Sequence, residues 1–343
     1  MVQNMRVIRL NKPGEWESFK APMPFGKLQK GEALIKVKKI GVCGTDRHAF
    51  EGNQPFFKYP RILGHELAVE VMDIADDVTN VSIGSPCCVE PYYNDIIGQA
   101  VRRGQTNCGE HLQVLGVHVD GGMQEYFIYP AKFLHPSTIL SEDQLVLIEP
   151  LAVGRHAVQR AQMVKEDIVL IIGAGPIGLG AILFAKLSGA RIIVMDIDDK
   201  KLEKCKKITG ISETLLAKGD VVSMLIEILN GDLPTVVLDA TGNAQSMMNT
   251  FNYAAAGGTI VFIGLFTGDV TFNDPNFHKK ELTLKASRAA ISSDFKKIIE
   301  LMESGKIDAR PFITHRIKFD EVPTEFEKLF SSDDLIKAVV EME

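Results

Sequence analysis

The sequence predicts an α/β protein of two domains, a barrel-like β domain followed by a doubly wound domain built on a parallel sheet. Three observations predict it. The chain has 343 residues, enough for two domains of ordinary size. Through the first 150 residues, short apolar runs at 33–37, 67–72 and 126–129 are broken by glycine and proline, a spacing that suits antiparallel strands. After Glu149-Pro150 the character changes. Ile168-Val169-Leu170-Ile171-Ile172 is a continuous apolar run, as expected of a strand covered on both faces. Strand and helix patterns alternate from there, which implies a parallel sheet.

At the N-terminus, MVQNMRVIRLNKPGEW has no long apolar core and no small-residue cleavage site, so it reads as a strand and not as a signal peptide. Residues 151–164 carry a helix pattern, with Pro150 suited to its first turn. Helices are expected at 177–187 and 199–208, and strands at 191–195, 236–238, 259–263 and 282–286. A helix at 295–303 and a return strand near 313–317 follow, with no internal repeat or low-complexity segment.

Composition narrows the function classes. Hydrophobic residues make up 45% and charged residues 24% of the chain, which is ordinary for a soluble globular protein. A formal charge of −6 argues against a nucleic-acid partner, which needs a basic face. No apolar run is long enough to span a membrane. The five cysteines are an odd number without a secretion signal, so no disulfide framework is expected and a reducing cytoplasm is the simplest setting. Cys205 falls on a helix pattern with Leu202 and Ile208 and reads as core. Cys87-Cys88 follow Gly84-Ser85-Pro86 and read as strand residues.

Gly173-Ala174-Gly175-Pro176-Ile177-Gly178 follows a buried strand and opens a helix, the context that makes this glycine pattern a dinucleotide fingerprint. Gly173 allows a tight turn, Gly175 admits pyrophosphate to the backbone, and Gly178 lets helix and sheet pack closely. Pro176 and Ile177 begin the helix, whose free N–H groups and dipole attract phosphate. An acidic residue is expected about 20 residues further on to accept hydrogen bonds from the adenosine ribose. Asp196 stands there, would repel a 2′-phosphate, and favours NAD over NADP.

The chemistry-bearing segment is Gly41-Val42-Cys43-Gly44-Thr45-Asp46-Arg47-His48, followed by Gly64-His65-Glu66. Cys43, His65 and Glu66 offer a thiolate, an imidazole and a carboxylate, a ligand set that suits Zn²⁺. Adjacent residues of a regular strand point to opposite faces. Either the chain bends at His65-Glu66, or one of the two lies outside the direct ligands. A metal that polarises an oxygen, beside a cofactor that takes a hydride, suggests an alcohol dehydrogenase.

Cys-Gly-Thr-Asp-x-His, Gly-His-Glu, Glu149-Pro150-Leu151 and Gly-x-Gly-x-x-Gly occur here in the order found in the zinc-dependent medium-chain dehydrogenases, which the chain resembles from about Ala33 to its C-terminus. Within that family it resembles the sorbitol, threonine and sugar-acid dehydrogenases. Residues 52–57 and 274–280 resemble bacterial L-galactonate oxidoreductases. The resemblance implies a GroES-like β-barrel catalytic domain at 1–152, completed by 291–343, and a doubly wound Rossmann domain at 153–290. It implies Cys43 and His65 as zinc ligands, with Glu66 and Glu149 competing for the third position, and Asp46 holding the imidazole of His65. Thr45 and His48 would carry the alcohol proton outward. Arg288 would pair with pyrophosphate, Thr241 and Gly242 would contact cofactor, and Phe56, Phe57 and His118 would line the substrate pocket.

Many relatives hold a second, structural zinc with four cysteines. Here the corresponding stretch, 94–108, keeps Cys108 alone. One thiol cannot build a closed tetrahedral site, so a metal-free lobe is expected, either looser or held by apolar contacts from Ile96, Ile97 and Val101. The expected activity is hydride transfer to NAD from a secondary alcohol, with L-galactonate, a polyol or a hydroxy amino acid as substrate. L-threonine 3-dehydrogenase and sorbitol or L-iditol dehydrogenase are the alternatives within the class. A zinc-free quinone or enone reductase would need no Cys43, His65 or Glu66, and a non-enzymatic cofactor-binding protein would need no proton path. The resemblance further implies a homodimer or homotetramer, joined through edge strands near 259–263 and 282–286.

Overall fold

The computed structural model describes residues 3–54, 57–94 and 96–343. They form two compact units, Met1–Glu149 with Ile291–Glu343, and Pro150–Ala290.

The first unit is built on a seven-stranded sheet. Its order runs Ile313–Lys318, Lys337–Glu341, Glu32–Val42, Glu66–Ile74, Pro86–Val89 and Leu134–Pro136, with Tyr126–Pro130 pairing along Glu32–Val42 as well. All pairings are antiparallel except that of Ile313–Lys318 with Lys337–Glu341. The strand Glu32–Val42 organises the unit. Ala33, Ile35, Val37 and Ile40 are fully buried in it, among Leu10, Leu63, Val71 and Phe326. Its pairing with Glu66–Ile74 shifts register at Leu34/Ile35 and again at Val37/Lys39. Such bulges bend a strand and increase its twist, which curls the sheet toward a barrel. The return segment supplies the helix Ser292–Glu303, whose Phe295 is fully buried in this unit.

The second unit carries a six-stranded, all-parallel sheet in the order Thr214–Leu216, Arg191–Asp196, Ile168–Ile172, Val236–Asp239, Thr259–Phe262 and Thr283–Ala286. This is the doubly wound dinucleotide-binding topology, in which the strand order reverses beside the first strand. Ile168–Ile172 lies at that reversal with Val169, Leu170 and Ile171 fully buried, as its unbroken apolar run requires.

Two helices differ by three residues from the sequence reading. The helix expected from 151 begins at Ile148 and ends at Ala161. Proline lacks only an N–H that the first turn leaves without an intrahelical partner, so Pro150 is tolerated inside that turn and Glu149 becomes helical. Gln162 takes φ 56° and stops the helix before 164. The helix expected at 295 begins at Ser292, because the Asp294 carboxylate accepts the Ile291 N–H at 3.0 Å and fixes an earlier start.

Candidate metal centre and dinucleotide site

Cys43 stands between the strand Glu32–Val42 and the helix Gly44–Glu51. Asp46 in the first turn turns back, and its Oδ2 accepts the Cys43 N–H at 2.9 Å. A carboxylate placed so satisfies one of the donors at a helix start, which anchors the thiol. Gly64 adopts φ 95°, a left-handed conformation costly to any residue with a side chain. The chain therefore turns just before His65, and the strand starts at Glu66. His65 precedes the strand, so the alternation of strand faces does not separate it from Glu66. One ligand atom each from Cys43, His65 and Glu66 lies within 4.8 Å of the others, and no other trio of this kind occurs among the described residues.

Glu66 is 1% exposed, and both its oxygens meet Lys337 Nζ, at 2.6 and 2.7 Å. Lys337 is itself 4% exposed and donates further to the Val42 carbonyl at 3.3 Å. Gly41 makes this contact possible. It pairs with Glu66 on one side and with Val339 on the other. A side chain at 41 would overlap the Glu66 carboxylate. Glu149 is also buried and accepts a hydrogen bond from the Tyr92 hydroxyl. Burial, reinforced by the charge of Glu66, pushes the Glu149 carboxyl up to about 7. Burial acts to lower the His65 imidazole, but Asp46, Cys43 and Glu149 outweigh it and hold it well above its ordinary value. Sequence reasoning missed Lys337, Tyr92 and the role of Gly41.

His65 Nδ1 and Asp46 Oδ1 are buried without hydrogen-bond partners, 3.7 Å apart. That separation is too long for a hydrogen bond but within ion-pair range, so Asp46 acts on the imidazole by charge while its Oδ2 anchors the Cys43 turn. The donor set fits zinc: a thiol, an imidazole and a carboxylate converge, and two polar atoms are left buried beside them. Thr45 is half-buried two residues past the helix cap Cys43, while the His48 side chain is 60% exposed and lies 3.9 Å from Glu51.

Phe57 packs edge-on against Tyr59 with ring centroids 4.7 Å apart. Phe56 lies outside the described residues. His118 accepts the Val114 N–H through Nδ1 at 3.0 Å, tying its own loop. Of the apolar contacts offered for the lobe around Cys108, Val101 is half-buried near Gly109 and the two isoleucines are not engaged. Ile96 and Ile97 are 56% and 67% exposed. Glu110 Oε1 instead accepts the Gln99 and Ala100 N–H groups at 3.0 and 3.3 Å, and Asn94 donates to the Thr106 carbonyl at 2.9 Å. Charge on free backbone donors replaces apolar packing there.

In the second unit, Gly173 has φ 100° and Gly175 caps the helix Pro176–Lys186. A side chain at Gly178 would overlap the Gly173 carbonyl oxygen, whereas Gly175 has no atom within 4 Å of where a Cβ would stand. Ile177 follows Pro176 in the first turn, half-buried. Asp196 ends its strand, and its Oδ2 accepts the Ala174 N–H at 2.7 Å while Oδ1 accepts the Asp198 N–H at 3.0 Å. The carboxylate thus braces the glycine turn and retains lone pairs for further donors. Thr241 is fixed by Asp239, whose Oδ1 accepts both its N–H and its hydroxyl, at 2.9 and 2.6 Å. Gly242 follows with φ 63°. Arg288 is exposed just past the edge strand Thr283–Ala286.

Comparison with known proteins agrees with this geometry. Residues 29–139 match the alcohol dehydrogenase GroES-like domain, and residues 176–304 match the zinc-binding dehydrogenase domain. The chain is 40% identical to L-galactonate-5-dehydrogenase of Escherichia coli K12, covering 99% of each sequence. The solved structure of the alcohol dehydrogenase rspB from E. coli CFT073, complexed with NADH, superposes with a TM-score of 0.91 at 28% identity over 99% of each chain. A zinc-binding dehydrogenase from Sinorhizobium meliloti bound to NADP superposes at 0.90 with 26% identity, over 99% of this chain and 100% of that one. Joined to a Cys-His-Glu trio in a GroES-like unit and a glycine turn in a Rossmann unit, these matches show that the chain belongs to the zinc-type medium-chain alcohol dehydrogenases.

Proposed function

We propose that this dehydrogenase oxidises a secondary hydroxyl of a sugar acid, of the L-galactonate kind, to the ketone with reduction of NAD. The observation that carries the reading is the Cys43, His65 and Glu66 trio on a chain 40% identical, end to end, to L-galactonate-5-dehydrogenase. The substrate loses a hydride to NAD⁺ and a proton to water, giving ketone, NADH and H⁺. A zinc ion held by Cys43, His65 and Glu66 would supply Lewis acidity to the substrate oxygen. Glu149, held by Tyr92, stands as the carboxylate beside that set and the alternative third ligand. Thr45 takes the hydroxyl proton and passes it toward His48, whose exposure supports a place at the solvent end of the path. Gly173, Gly175 and Gly178 cradle the pyrophosphate at the helix of Pro176 and Ile177, Arg288 pairs with it, and Thr241 contacts the cofactor.

NAD is the proposed cofactor because Asp196 would meet a 2′-phosphate with like charge. One zinc per chain is proposed, since Cys108 stands without companion thiols and Glu110 does the work of organising its lobe. A homodimer or homotetramer is proposed through the edge strand Thr283–Ala286, whose Leu284 is exposed; Thr259–Phe262, expected as an edge, is paired on both sides and cannot serve. The cysteines are free, which supports a cytoplasmic setting. Among the described residues no helix is long and apolar enough to cross a membrane.

The test is NADH or NADPH formation by the zinc-loaded protein with L-galactonate, other aldonates, polyols and L-threonine, each with NAD and with NADP. Turnover with a sugar acid and NAD, well above the other pairs, supports the proposal. Preference for a neutral polyol, for threonine or for NADP overturns the corresponding part.

A further inference from the structure

The contact between Lys337 and Glu66 does more than fill a buried space. Lys337 opens the last strand of the first unit, and its side chain is fully enclosed. An enclosed ammonium needs all three donors satisfied. Here they go to Glu66 Oε1, Glu66 Oε2 and the Val42 carbonyl, at 2.6, 2.7 and 3.3 Å. The Val42 carbonyl belongs to the residue next to Cys43. Glu66 reaches Lys337 by crossing over Gly41, on the strand between their own two strands. Three adjacent strands thus meet at one carboxylate, and the residue in the middle has no side chain to obstruct it.

Charge gives this arrangement a purpose. The centre brings together one thiolate and two glutamates, Glu66 and Glu149. Two positive charges on zinc balance the thiolate and one carboxylate, and the second carboxylate would leave the site anionic. An anionic site would bind the metal more tightly and polarise a substrate oxygen less. Lys337 supplies the missing positive charge.

We infer that Lys337 is a positioning residue of the metal centre: it fixes the Glu66 carboxylate through Gly41 and offsets the charge of the second glutamate in the zinc-loaded site. The inference rests on the zinc centre proposed above. It makes an unusual demand on mutagenesis. Removing a merely structural contact beside a metal ligand loosens the metal. Removing Lys337 tightens it, because a dication loses a neighbouring positive charge and Glu66 loses its competing partner.

The experiment measures the zinc dissociation constant of the full chain by competition with a chromophoric chelator, for the wild type, Lys337→Met and Lys337→Arg. Lys337→Gln replaces the methionine variant if that does not accumulate as folded protein. Zinc should bind the neutral variants at least about tenfold more tightly than wild type. Lys337→Arg, which keeps the charge, should remain within about threefold of wild type. Turnover should fall in the neutral variants at unchanged NADH affinity. Weaker or unchanged zinc binding in the neutral variants, or equal tightening in Lys337→Arg, overturns the inference. A wild type that takes up no zinc fails the proposed function instead, so the two failures are told apart in the same titration.

Discussion

Two glycines of the same turn should respond differently to the same substitution, and the structure says how. At Gly178 an added Cβ overlaps the Gly173 carbonyl oxygen and stands 3.0 Å from its carbon. Both atoms are backbone within a turn already at φ 100°, so the turn must open to admit a methyl group. Overpacking of this kind costs about 1–3 kcal/mol of stability. At Gly175 nothing lies within 4 Å of the added atom, and the backbone is extended with φ −79°. Gly175→Ala should therefore leave the ligand-free protein as stable as wild type, within about 0.5 kcal/mol. If pyrophosphate approaches the backbone there, the methyl group stands in its way. NADH affinity should fall in both variants, by roughly ten- to a hundredfold for a loss of about 1.4–2.7 kcal/mol. Thermal unfolding without cofactor, with an NADH fluorescence titration, reads the two effects separately. A Gly175→Ala protein that binds NADH as wild type does would refute the assignment of this turn to the cofactor.

Other expectations concern thiols, charge and the proton path. Burial pushes the Cys87 thiol up to about 12 and raises Cys88 and Cys205 as well, whereas Cys108 is exposed. Iodoacetamide should therefore modify Cys108 first and spare Cys87, Cys88 and Cys205 until unfolding. Cys43 should be alkylated in chelator-treated protein and protected by added zinc, as peptide mass mapping would read. Arg316 and Lys39 hold the Asp143 carboxyl down to about 2. A depressed carboxyl stabilises the fold above its unfolded value near 4, and that gain is lost as pH falls toward 2. Asp143→Asn should thus destabilise by about 1 kcal/mol or less at pH 7, because the cluster is partly solvated, and the difference should vanish near pH 2 in denaturant titrations. His48→Ala should slow turnover by roughly ten- to a hundredfold, with partial rescue by added imidazole. Absence of rescue would return His48 to the helix surface.

The parts of the molecule written in contiguous residues were legible in the sequence. The run 168–172 is apolar because its strand is central and covered on both faces. The glycine turn and Asp196 could be placed because strand, turn and helix are consecutive. The Cys43, His65 and Glu66 cluster was recognisable from two short motifs, one just past the end of a strand and one at the start of the strand paired with it. What was not legible comes from residues far apart in sequence. Lys337 and Glu66 are separated by 271 positions, and Tyr92 and Glu149 by 57. No periodicity connects such pairs. The one local signal for Lys337 was a lysine heading the apolar triplet Ala338-Val339-Val340. Exposed strand ends look the same, and only burial distinguishes them. The awkward adjacency of His65 and Glu66 was resolved by the backbone of Gly64, whose left-handed turn a residue name permits but does not dictate. Near Cys108 the sequence suggested packing by Ile96 and Ile97, which are exposed, and did not show that Glu110 serves the Gln99 and Ala100 N–H groups.

Cys43, His65 and Glu66 are proposed to hold one catalytic zinc in the first unit. Elemental analysis of purified wild type and Cys43→Ala, paired with NADH titration of each, tests it most directly. The account expects about one zinc per chain in the wild type, close to none in Cys43→Ala, and the same NADH affinity in both. Two tightly held zincs in the wild type, or zinc retained in full by Cys43→Ala, would contradict it.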